Sequence, residues 1–93
     1  MGTLLTQTEI LFPKAAGAAV YTWRAEMPDG RTLDSTHEDV NGLADAGRFA
    51  TFEEAKLDAQ ETLHVWQSRE AALPREVLIL RSQPEAYALM RVG

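Results

Sequence analysis

The sequence predicts an α+β domain: a mostly antiparallel sheet of about four to six strands, with one long amphipathic helix packed across one face, in the order ββ(β)αββ. Three observations carry that expectation. Thr51 to Leu73 repeats its apolar residues at helical spacing, Val20 to Met27 alternates at strand spacing, and Glu76 to Arg81 is a short apolar run followed by a second alternating stretch. The 93 residues suffice for one domain with a modest core.

Taken in order, residues 1–19 form an N-terminal arm or edge strand ahead of a single domain over residues 20–93. Thr3 to Phe12 mixes polar and apolar positions, and Lys14 to Ala19 is a small-residue link bounded by Pro13. Val20 to Met27 is the clearest strand, with Tyr21, Trp23, Ala25 and Met27 pointing one way, toward the helix. Pro28-Asp29-Gly30 is a turn in which proline presets φ, aspartate caps locally and glycine takes positive φ. Arg31 to Thr36 returns as the second strand of a hairpin, with Leu33 inward.

His37 to Phe49 is a polar loop, and a third short strand around Arg48 and Phe49 leads into the helix. Within the loop, Asp39-x-Asn41-Gly42-x-x-Asp45 has the flavour of a calcium loop but lacks its ligand spacing and terminal bidentate glutamate, so a solvated loop is expected instead.

Thr51 and Glu54 form a capping box at the helix start, with Glu53 and Glu54 placed favourably in the helix dipole. Phe52, Ala55, Ala59, Leu63, Trp66 and Leu73 share the inward arc, so Trp66 and Trp23 are both expected to be largely buried against one another's elements. Pro74 ends the helix because it has no N–H and disfavours αR at Leu73. Glu70 projects onto the inward arc, which implies that the helix outruns the core there. Glu54, Asp58 and Glu61 read as a solvated acidic face. Leu57 and Val65 lie off the core arc among them, and with Glu61 and His64 they make the candidate interaction surface.

After the helix, the continuous run Glu76 to Arg81 suits an interior strand. Ser82 to Glu85 is a turn, and Ala86 to Val92 is a last strand, with Tyr87, Leu89 and Arg91 on one side and Ala88, Met90 and Val92 on the other.

From Asp29-Gly30 through Asp39, Gly42, Thr51, Glu53, Glu54, Ala55, Ala59, Leu63 and Trp66, the chain resembles the HicB-like antitoxin family. Members open with a hairpin around an acidic-glycine turn, then run through an Asp-x-Pro-Gly corner into a Thr-x-Glu-Glu-Ala helix. Coverage is about residues 20–80. Asn41 stands where the family has the corner proline, and the spacing from Gly42 to Thr51 is longer. The family commonly adds a DNA-binding region after this domain. With the chain ending at Gly93, the resemblance implies a fold and a protein-binding habit rather than autoregulatory DNA binding. Trp23, Asp29, Gly30, Phe49 and Thr51 also resemble the arm-site-binding domains of phage integrases, which use basic residues on the sheet.

The net charge of −5 and the absence of any basic run argue against nucleic acid as the partner. With no cysteine there is neither a disulfide framework nor a thiol nucleophile. No apolar run approaches the roughly 20 residues of a membrane span, no basic-then-apolar leader opens the chain, and a cytoplasmic location is the default. The sequence shows no phosphate loop, His-Glu-x-x-His helix or nucleophile elbow, and calls for no cofactor or metal. His37 with Glu38 and Asp39 is the one conceivable general-base cluster. The function expected is therefore a non-enzymatic, regulatory protein-binding module whose partner is another protein or a second copy. A DNA-binding or DNA-mimicking accessory protein of phage type is the alternative, and a small hydrolase or metal-dependent enzyme stands further off.

Overall fold

A computed structural model describes residues 4–11, 19–36, 47–82 and 85–93. Strands β1 (Leu5–Ile10), β2 (Tyr21–Glu26) and β3 (Thr32–Asp34) precede helix α1 (Phe52–Ser68), and β4 (Glu76–Arg81) and β5 (Glu85–Val92) follow it. The strands form one antiparallel sheet in the order β1-β5-β4-β2-β3. The helix lies over β2 and β4, which gives the expected α+β architecture. β1 is an edge strand of the sheet, paired with β5.

The period-two pattern of β2 decides which way the sheet faces. Tyr21, Trp23, Ala25 and, just beyond the strand, Met27 are buried, whereas Arg24 and Glu26 are exposed. At the end of β2 the Gly30 N–H donates to the Met27 carbonyl and the Met27 N–H to that of Arg31, while Gly30 takes φ +92°. These are the bonds of a hairpin loop closed by a glycine bulge. The Arg31 N–H and guanidinium both donate to Asp29, holding its carboxyl below the usual carboxylate range. The second strand is shorter than the expected Arg31 to Thr36: the Ser35 N–H still donates to the Trp23 carbonyl, but the Trp23 N–H is taken by the Ser35 hydroxyl instead of its carbonyl. Its hydroxyl, fully buried, donates to the Gly47 carbonyl (2.6 Å) and accepts from the Trp23 N–H (3.1 Å). This serine fastens the chain at Gly47 to β2, and no periodicity in the sequence announced it.

Phe49 forms a single bridge with Tyr21, exchanging both backbone hydrogen bonds at 2.7 and 2.8 Å, in place of the expected third strand. The candidate calcium pattern Asp39 to Asp45, together with His37, lies outside the described residues.

The helix begins as expected, with the Glu54 N–H donating to the Thr51 hydroxyl. The Glu54 carboxylate accepts from that same hydroxyl rather than from the Thr51 backbone N–H. The helix ends five residues earlier than Pro74 alone would place it. Glu70 adopts φ +56°, its N–H donates to the Gln67 carbonyl, and the Ala71 N–H donates to that of Trp66. This is the Schellman arrangement, with glutamate in the left-handed position glycine usually fills. Because the signal residue is not glycine, the stop is hidden in the sequence. The left-handed turn also resolves the awkward inward projection of Glu70, which leaves the helix and is exposed.

Ala55, Ala59 and Leu63 present the buried face of α1, and the two alanines allow the helix close to the sheet. Between the layers lie Trp23, Ala25, Val77, Ile79, Ala88 and Met90, all fully buried, with Leu5 closing the β1 side. One end of the core is aromatic: the Tyr87 ring meets Tyr21 and Phe52 edge-on, at centroid distances of 5.7 and 5.3 Å. Tyr87 reaches this cluster because the β4–β5 register shifts between Ile79 and Leu80, so Tyr87 and Ala88 are both buried. The strict alternation expected for β5 therefore fails at Tyr87 but holds beyond it. At the other end, Trp66 stands edge-on to Trp23 at 6.5 Å. Trp23 is buried as expected, but Trp66 is only half-buried, since a ring that large near the end of the helix extends past the sheet that would cover it.

Candidate functional site

The outer flank of α1 holds all four residues singled out from the sequence. Leu57, Glu61, His64 and Val65 are spaced i, i+4, i+7 and i+8, which places them within an arc of about 100° on one side of a helix. That arc is centred well over 90° from the arc of Ala55, Ala59 and Leu63, so the sheet does not cover it. Leu57 is 57% exposed and Val65 45% exposed. Glu61 is exposed as well, whereas His64 is half-buried rather than open.

Leu57 separates two shallow recesses. One, of about 120 Å³, is lined by Glu53, Lys56, Leu57 and Gln60. The other, of about 230 Å³, is lined by Phe49, Glu54, Leu57, Asp58 and Glu61. An exposed leucine thus stands among carboxylates, and the second recess adds the ring of Phe49, whose part in the surface nothing in the sequence suggested.

Asp58 departs from the solvated acidic face expected of it. It is half-buried, and its Oδ2 accepts a 2.8 Å hydrogen bond from the Nε1–H of fully buried Trp23. A buried indole N–H needs an acceptor, and Asp58, on the border between the two helix faces, is placed to supply it. The bond ties helix to sheet beside the acidic recess.

The sheet offers two edges. β3 is three residues long, and β1 interrupts its own ladder between Gln7 and Glu9, where the Thr8 hydroxyl donates to the Leu89 carbonyl. Short strands and bulges blunt an edge against strand addition, so the helix flank is better formed for docking than either edge.

A basic surface would need Arg24, Arg31 and Arg91 together. Arg24 and Arg91 do share the sheet face away from the helix, but Glu26 and Glu76 stand beside them in register, and Arg31 is engaged with Asp29 at the hairpin turn. Among the described residues, no three His, Asp or Glu side chains gather closely enough to hold a metal ion, and no helix is long and apolar enough to cross a membrane. In comparisons with protein-family models, curated proteins and solved structures, nothing matches this chain.

Proposed function

We propose that the protein is a small, non-enzymatic, regulatory protein-binding module that docks on a protein partner through the outer flank of α1. The observation that carries this reading is the exposure of Leu57 and Val65 on the side of the helix the core does not use. Laid into a groove, two such side chains contribute roughly 3–6 kcal/mol before the costs of association. Glu61 between them, and Glu53 and Glu54 near Leu57, would favour a groove with a basic rim. The sequence resemblance to HicB-like antitoxins points the same way, toward action by docking.

The test is Leu57→Asp combined with Val65→Asp, with co-purification from the native cell as the readout. The double variant should melt in urea like the parent and lose the partner that the parent retains. A partner kept at parental yield by a folded double variant would overturn the helix-flank reading.

A further inference from the structure

We propose that the face of the sheet opposite the helix is the contact between two copies of this chain, related by a two-fold axis running along the seam between β4 and β5. This surface is separate from the helix flank.

The register defines the pattern on that face. Leu78 of β4 is paired with Leu89 of β5, and both are only half-buried, as is Leu80. In the same row, Leu89 is paired outward with Glu9 of β1, and Leu78 with Arg24 of β2. The middle row across four strands therefore reads Glu9, Leu89, Leu78, Arg24. In the next row Arg91 is paired with Glu76, flanked outward by Thr6 and Glu26. About the β4–β5 seam, each cation on one side has an acid at the mirrored position on the other.

A two-fold axis in the plane between two facing sheets, parallel to the strands, lays each position over its mirrored counterpart. Leu78 then meets the second copy's Leu89, Arg24 meets its Glu9, and Arg91 meets its Glu76. Every contact appears twice, as an isologous interface requires. Facing sheets pack about 10 Å apart within roughly 30° of alignment, so the twist spoils the corners of the overlap and spares the positions nearest its centre. Asp34, paired with Arg24 on its outer side, falls beyond the overlap, since its mirrored position lies past the edge of β1.

The charges are available for such a contact. Among the described residues, Glu9, Arg24, Glu76 and Arg91 make no ion pair within the chain. The outer strands β1 and β2 are separated by β5 and β4, three strand spacings or roughly 14 Å, so Glu9 and Arg24 cannot meet within one chain. The apolar run of β4, half of it on this face, is the pattern of a strand covered on both sides. The overlap of four strands by about six residues is roughly 20 Å square, on the order of 400 Å² per copy in projection. That places the contact at the small end of specific interfaces and makes the dimer concentration-dependent.

Sedimentation velocity of the full chain over a concentration series tests the assignment, with urea melting to show that each variant is folded. The parent should pass from monomer to dimer as concentration rises. Glu9→Arg and Arg24→Glu should each weaken self-association by about tenfold or more, because each sets like charges against one another at two symmetric contacts. The double variant should dimerise again, and so should an equimolar mixture of the two single variants, whose opposite charges then face each other. Leu57→Asp with Val65→Asp should leave the dimer intact. A parent that stays monomeric throughout, a dimer indifferent to both reversals, or a failure of both rescues would overturn the proposal without touching the helix-flank reading.

Discussion

The two faces of the sheet are cut from the same strands and meet different fates. Val77 and Ile79 of β4 are fully buried under the helix, while their neighbours Leu78 and Leu80, equally apolar, remain half-exposed on the other side. β2 divides more sharply, with Trp23 and Ala25 inside and Arg24 and Glu26 in water. Hydrophobicity selects candidates for burial, but a side chain is buried only where another element arrives to cover it. On one face that element is α1, brought close by Ala55 and Ala59 and held by Trp23 and Asp58. Within the chain, the described residues supply no equivalent cover for the other.

The most direct way to break this comparison is at the centre of the covered face. Trp23→Ala should destabilise the protein by about 3–5 kcal/mol in urea denaturation, since it removes a fully buried ring and its contact with Trp66. A loss below about 1 kcal/mol would show that the helix does not seal this face.

A matched pair on β4 compares the two faces within one strand. Ile79→Ala should cost about 2–5 kcal/mol, whereas Leu80→Ala, on the open side, should cost about 1 kcal/mol or less at concentrations where the chain is monomeric. Equal losses would mean that both faces are covered in the monomer.

The clamp between the layers comes next. Asp58→Ala leaves the Trp23 indole N–H without its acceptor and should cost about 1–3 kcal/mol. In the background of Trp23→Phe, which has no N–H to satisfy, the same change should cost much less, and a double-mutant cycle reads the difference. Equal costs in both backgrounds would remove Asp58 as the tie.

The smallest effect concerns how the cover stops. Glu70→Gly should stabilise the protein by up to about 1 kcal/mol, because glycine takes φ +56° without the penalty a Cβ carries. A raised midpoint in thermal melting is expected, and a lowered one would show that the Glu70 side chain contributes more than its backbone strain costs.

Much of the fold was legible because its signals are local. The alternation of Tyr21, Trp23 and Ala25, the run Val77 to Leu80 and the pair Thr51 and Glu54 each depend on residues a few positions apart, and each became the element expected. The misses depend on something more distant or atypical. The helix stop was hidden because glutamate occupies a glycine position, and the burial of Tyr87 follows from a register shift that only the pairing of β4 with β5 produces. Ser35 carries no local signal of its role, which exists only because the fold brings Gly47 and Trp23 within hydrogen-bond distance of it. On the candidate site, periodicity alone placed Leu57, Glu61, His64 and Val65 on one flank, because an angle about a helix axis is a property of spacing. That Phe49 lines the neighbouring recess, and that Asp58 is engaged rather than solvated, required the helix to be docked.

By itself, then, the sequence determined the types of the main elements, the inward set of β2, the Ala55, Ala59 and Leu63 face of the helix and the stretch where the helix begins. These follow from period, capping and turn chemistry, which act over a handful of residues. The tertiary structure alone decided the strand order β1-β5-β4-β2-β3, and with it that Glu9 and Arg24 lie on opposite sides of a leucine pair in a single row. Those residues are distant in sequence, and nothing in local periodicity encodes which strands become neighbours. Strand order is set by how the whole chain buries one core, and charge patterns across a sheet come into existence only with it.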